Sequence, residues 1–238
     1  MNFYPLWVAA GIGLAALVAA RQAPTPGLDA DQRTRLSMVA VVGAVVGAYL
    51  LQLPADLCGW NAPSPVPTPR DVMPMGGRTV LGGLLGGWLA VDLAKVFFRI
   101  SAPSGDGFAL PLAIALACGR LGCASAGCCA GQTCDPHWWA WHDAAGQPRL
   151  PIQIIEALFH ASMAVWLWQA GRRQWMRGRR LAIYLTCYAV VRFTLEFVRE
   201  HPPVLLGLSW YQWLAVGLGL LAGVTWWRRT PVAVPVIG

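Results

Sequence analysis

Residues 118–131 read Cys118-Gly119-Arg120-Leu121-Gly122-Cys123-Ala124-Ser125-Ala126-Gly127-Cys128-Cys129-Ala130-Gly131, one arginine among four glycines and four cysteines. The segment closes an apolar run. Its glycines let a backbone turn tightly or approach a ligand closely. An arginine at the mouth of such a run can grip an anionic headgroup through its rigid fork of donors. The same residues also suit a helix-end turn with an interfacial arginine whose stem lies along apolar surface.

A second constellation lies further along. Tyr188, Arg192, Glu196 and Arg199 are spaced four, four and three apart, so they share one helical face. Ionisable residues inside an apolar span are costly and usually face a paired or functional cavity. An i,i+4 ion pair that merely closes a bundle is the alternative. Arg120, Arg192 and Arg199 in one outer layer against Glu196 would leave positive charge to meet an anion, and a phosphate headgroup is the natural one in a membrane. Gln153 and Glu156 follow Pro151 within a first helical turn, which by itself is ordinary helix-start chemistry.

The seven cysteines are Cys58, Cys118, Cys123, Cys128, Cys129, Cys134 and Cys187. Cys123, Cys128, Cys129 and Cys134 are candidates for redox chemistry or for one or two disulfides, since extracytoplasmic thiols tend to be oxidised. Adding His137 and His142 matches none of the strong zinc spacings, so neither a metal nor a cofactor is expected. Cys118 and Cys187 fall within helices and read as small apolar packing residues.

The elements that must position these residues are membrane helices. Hydrophobic residues make up 56% of the 238 and charged residues only 12%, which places the chain with multi-pass membrane proteins. Apolar runs fall at 4–20, 36–53, 80–98, 108–121, 152–170, 181–198 and 205–227. Most approach the roughly 20 residues that span a bilayer. The fourth is short, as for a helix ending in a protein-lined cavity. The first lacks a basic leader and a clean cleavage site, so it reads as a retained helix. Gly82, Gly83, Gly86 and Gly87 in the third favour close helix packing. The Pro-rich stretch 62–74 reads as a spacer.

With the N-terminus outside, twelve basic residues fall on inner segments, clustered at Arg172, Arg173, Arg177, Arg179 and Arg180, and five on outer ones. The positive-inside rule then favours N-terminus out and C-terminus in. The net charge of +7 forms no basic stripe, so no nucleic-acid partner is expected. The expectation is an all-α integral membrane protein: seven transmembrane helices in a single domain over 1–238, with extracytoplasmic loops near 54–79 and 123–150.

Placed in this order, the segments resemble the prolipoprotein diacylglyceryl transferase family over most of the chain. The matching residues are Gly76-Gly77 before Gly82-Gly83, Asp106, Gly119-Arg120-Leu121-Gly122 with Gly127 and Gly131, Pro151-x-Gln153-x-x-Glu156, Tyr188-x-x-x-Arg192-x-x-x-Glu196-Phe197-x-Arg199, and Gln212. The resemblance implies a multi-pass protein of the bacterial cytoplasmic (inner) membrane with its active site on the extracytoplasmic side. It implies transfer of the diacylglyceryl group of phosphatidylglycerol to the lipobox cysteine of a prolipoprotein, with glycerol phosphate released. Arg120, Arg192 and Glu196 would be the catalytic set. Gly122, Gly127, Gly131, Gln153, Glu156, Tyr188 and Arg199 would line the lipid site. The chain departs from the family pattern at Leu81, where a histidine is usual, and at Cys123 and Cys128, where asparagine and glutamate are usual. A phospholipid-binding homologue without turnover, and a thiol-redox membrane protein using the outer cysteines, remain as alternatives.

Overall fold

The computed structural model describes residues 3–23, 25–61, 78–143 and 145–228. The Pro-rich stretch and Gly76-Gly77 lie outside the described residues. The helices are α1 (Tyr4–Arg21), α2 (Ala30–Leu50), α3 (Leu53–Cys58), α4 (Val80–Phe97), α5 (Gly105–Ser125), α6 (Ile152–Arg172), α7 (Arg180–Glu196) and α8 (Trp210–Arg228). Two short antiparallel ladders join them: β1 (Trp141–His142) with β2 (Pro148–Arg149), and β3 (Pro203–Leu205) with β4 (Leu208–Ser209). Among the described residues the fold is mostly helical, with no closed barrel. Among the described residues, four helical segments are long and apolar enough to cross a membrane: Tyr4–Arg21, Ala30–Cys58, Val80–Phe97 and Gly105–Ser125.

Helix α5, which holds the fourth apolar run, corrects the sequence reading. It is 21 residues long rather than a short stub, because it starts at Gly105 and continues through the glycines to Ser125. Glycine in a helix interior costs only about 1 kcal/mol relative to alanine, and packing offsets it here. A Cβ on Gly122 would lie 3.1 Å from the Tyr4 ring and 3.2 Å from Trp7 Cβ, so this glycine lets α1 approach α5. Gly11 faces Cys118 across the same contact, which gives Cys118 its packing role, whereas Cys187 is exposed.

The chain forms two compact units, one of residues 1–25, 103–187 and 221–238, the other of 26–102 and 188–220. In the first, α5 packs on both α1 and α6. Asp106, in the first turn of α5, accepts from the backbone N–H of Gly178 (2.6 Å) and of Arg180 (2.9 Å), so this carboxylate caps the start of α7.

In the second unit α2 packs along α4. Asp29 and Gln32 form a reciprocal capping box that starts α2. The helices meet through glycines: a Cβ on Gly47 would fall 2.7 Å from Gly86 Cα, and one on Gly86 would meet Gly47 Cα at 2.7 Å and run into the Gly43 carbonyl. Backbone, not a flexible side chain, blocks the space. Gly86→Leu is therefore expected to destabilise the protein by about 1–3 kcal/mol, seen as a lower thermal midpoint in detergent. Gly13→Ala, where a Cβ meets nothing within 4 Å, should leave that midpoint unchanged or raise it.

Candidate functional site

The polar residues collect in two clusters, one in each unit. In the first unit, α5 presents Arg120 and α6 presents Gln153, Glu156 and His160 on one face, spaced three and four apart. Arg120 Nη2 lies 2.9 Å from Glu156 Oε1, with the arginine side chain 8% exposed and the glutamate fully buried. A buried charge is tolerated only when paired. A guanidinium has five N–H donors in a fixed fork, so it can serve a carboxylate and a phosphate oxygen together. Gln153 is fully buried, and neither its Nε2 nor its Oε1 has a hydrogen-bond partner among the described residues. Such an amide is costly to bury unless something else satisfies it. His160, which the sequence reading missed, is fully buried with Nδ1 2.8 Å from the Tyr184 hydroxyl. Its position four residues after Glu156 was the available signal.

The second cluster centres on Glu196, the last residue of α7. Its Oε2 pairs with Arg192 Nη1 and lies 4.0 Å from Arg199 Nε. Its Oε1 accepts from the Ser209 hydroxyl (3.0 Å) and lies 2.6 Å from His201 Nδ1. Arg192 and Glu196 are 5% and 3% exposed, and Tyr188 is fully buried. Ser209 also caps α8: its Oγ accepts from Gln212 N–H (3.2 Å) while Gln212 Oε1 accepts from Ser209 N–H (2.9 Å). That reciprocal capping box fixes where Ser209 meets Glu196. The spacing Ser209-x-x-Gln212 was legible in the sequence as such a box. His201 had no comparable signal, because it lies in a connection beyond the helix. Leu81, at the position where a histidine was expected, is buried at 1% exposure and carries no titratable group.

Between α5 and α6 the chain is stitched rather than loose. Gly127 and Cys129 both take positive φ (72° and 65°), and the Trp141 ring lies 3.3 Å from where a Gly127 Cβ would stand. Gly131 N–H donates to the Leu150 carbonyl (2.8 Å), and its own carbonyl accepts from Arg149 Nη1 (3.3 Å). The structure thus gives Gly127 and Gly131 turn-building roles. Asp143 organises the β1–β2 turn: it accepts from Ala145 N–H and Gln147 N–H, each at 2.9 Å, and from Arg149 Nε at 2.7 Å. The Arg149 hydrogen bond, then the backbone donors, hold its carboxyl below the usual range. A depressed folded pKa gives stability that is present above the unfolded pKa and lost as pH falls through the folded one. Amide protection at Ala145 and Gln147 should therefore fall as the medium is acidified below the ordinary aspartate range. Asp143→Asn should remove that pH dependence in hydrogen exchange.

Cys123, Cys128 and Cys129 come together, their sulfurs all within 4.8 Å of one another. None of the seven cysteines forms a disulfide. Cys134 does not join this group, because its backbone N–H is tied to the Pro148 carbonyl (3.0 Å) in the hairpin. Hydrogen bonding with the Cys123 thiol, then with Cys129, and burial push the Cys128 thiol up.

The family model described as prolipoprotein diacylglyceryl transferase matches residues 1–228. Among curated proteins, the phosphatidylglycerol–prolipoprotein diacylglyceryl transferase 2 of Clostridium perfringens is 25% identical over 230 residues, 93% of this chain and 88% of the relative. The transferase of that name in Solidesulfovibrio magneticus is 30% identical over 237 residues, 91% and 83% of the two chains. The one in Pseudomonas paraeruginosa is 28% identical over 254 residues, covering 99% and 92%.

Proposed function

The chain belongs to the prolipoprotein diacylglyceryl transferase family, and from that premise we propose that it moves the diacylglyceryl group of phosphatidylglycerol to a cysteine thiol of a lipoprotein precursor. One observation carries this: two arginines of the family pattern, Arg120 and Arg192, are each buried and each held by a carboxylate, Glu156 and Glu196. Arginines fixed in this way are oriented before a substrate arrives. In the reaction the acceptor thiolate forms a C–S bond at the glyceryl carbon, and the C–O bond to phosphate breaks. The electron pair leaves on glycerol phosphate. Charge grows on phosphate oxygen in the transition state, so an arginine held in place stabilises that state more than the ground state.

In this reading Glu156 and Glu196 orient the arginines, while Gln153 and the glycines at 122, 127 and 131 in one unit, and Tyr188 and Arg199 in the other, are substrate-binding residues each within its own unit. Gln153's unsatisfied amide supports a polar ligand beside Arg120 and Glu156. The protein would cross the bacterial cytoplasmic membrane seven times with its N-terminus outside, a topology supported by the arginine-rich segment between α6 and α7. The transfer would then occur on the extracytoplasmic side.

The test uses purified protein, phosphatidylglycerol labelled in its headgroup glycerol, and a lipobox peptide. Labelled glycerol phosphate should be released only when the peptide carries its cysteine. Bound phosphatidylglycerol in native mass spectrometry without any release would instead establish a binding protein.

A further inference from the structure

The transfer needs a thiolate at the acceptor cysteine. We propose that Cys123, Cys128 and Cys129 hold one zinc ion whose fourth position receives the acceptor thiol. The proposal rests on the transferase reading above, and it replaces the expectation of no metal drawn from cysteine spacing alone.

Three sulfurs within 4.8 Å of one another are the donor set of a soft d10 cation. Zinc–sulfur bonds of about 2.3 Å in a tetrahedral site put sulfurs about 3.8 Å apart, and Cys128 Sγ and Cys129 Sγ stand 3.6 Å apart. The backbone is shaped to bring them there. Cys123 lies in the last turn of α5, and Cys128 N–H donates back to the Cys123 carbonyl (3.1 Å). Cys129 then adopts a φ of 65°, a left-handed conformation that a side chain other than glycine rarely takes.

Two further features favour a catalytic over a structural ion. Among the described residues no fourth cysteine, histidine or carboxylate joins the three. Structural zinc is closed by four protein ligands, while catalytic zinc keeps one position open. Access is available too, since Cys129 is exposed and Cys123 and Cys128 are half-buried. Three thiolates around a divalent cation carry a net negative charge, and Arg120, three residues before Cys123 on α5, supplies positive charge on the same face.

A thiol that coordinates zinc is deprotonated outright, so no protein base is required. The acceptor thiol gives its proton to water as it binds. Its sulfur lone pair forms the C–S bond at the glyceryl carbon, and the C–O electron pair departs on glycerol phosphate. No electrons are exchanged with the metal, and the three cysteines return unchanged.

Full-length protein purified in detergent with reductant should carry one zinc per chain by elemental analysis. Cys128→Ser and Cys129→Ser should each lower that content at least tenfold, with Cys58→Ser as the control that retains it. Thermal midpoints near wild type separate loss of the ion from loss of the fold, and exposed Cys129 is the safer of the two positions. Replacing zinc by Co(II) should produce a sulfur-to-cobalt charge-transfer band that shifts with a lipobox peptide but not with its Cys→Ser counterpart. Absence of equimolar metal, a cobalt spectrum indifferent to the thiol peptide, or a disulfide among the three in protein isolated with zinc would overturn the proposal. Undiminished release of glycerol phosphate from metal-free Cys128→Ser protein would overturn it too, while leaving the transferase reading intact. A cobalt spectrum that responds to the peptide without any release would sustain the metal site and sink the transferase reading.

Discussion

Replacing Arg192 by lysine is expected to slow release of glycerol phosphate from phosphatidylglycerol by about 10²- to 10³-fold, the usual effect of losing one preorganised donor to a developing oxyanion. Lysine keeps the positive charge opposite Glu196, so the buried pair and the fold should survive. What it loses is the planar fork that meets a carboxylate and a phosphate at once. Ligand binding should weaken less than turnover, because the lost donor matters most when charge has moved onto phosphate. Arg192→Ala should lose activity further and destabilise the protein by about 3–5 kcal/mol, as when one partner of a buried pair is removed. The measurement is kcat for labelled glycerol phosphate with thermal unfolding in the same detergent. An Arg192→Lys enzyme within about twofold of wild type would remove Arg192 from the reaction.

A stability effect as large is expected at Glu156. It is fully buried, 2.9 Å from Arg120, on a face that also carries Gln153 and His160. Glu156→Ala leaves a guanidinium of 8% exposure without its carboxylate, at an expected cost of about 3–5 kcal/mol. Arg120→Met combined with Glu156→Leu should recover most of that stability, because an apolar pair of similar volume removes the desolvation penalty from both sides. The double variant should nevertheless be inactive. Unfolding in mixed micelles alongside the release assay checks both halves. Recovered stability with recovered activity would make the pair purely architectural.

Much of this was legible without coordinates. The first and third apolar runs coincide with α1 and α4 to within a residue or two at each end, because apolar length is a local property. The i,i+4 spacing of Arg192 and Glu196 was enough to pair them, since helical geometry carries residues four apart onto one face. The fourth run was read short, because a window that counts apolar residues stops at the glycines and arginine. The helix continues, since Tyr4 and Trp7 of α1 pack on Gly122 and Glu156 of α6 meets Arg120.

Composition, periodicity and the order of motifs by themselves determined the helical class, the family resemblance and the candidate arginines. Only tertiary structure decided the partners that lie on other elements. Glu156 and Arg120 are 36 residues apart in sequence, and Ser209 reaches Glu196 through a helix cap on another element. The same holds for the cysteines at 118–131. Their spacing argued against a metal, yet two left-handed backbone positions, at Gly127 and Cys129, fold the turn so that three sulfurs converge. Spacing counts residues along a chain, while coordination depends on where φ and ψ send the side chains.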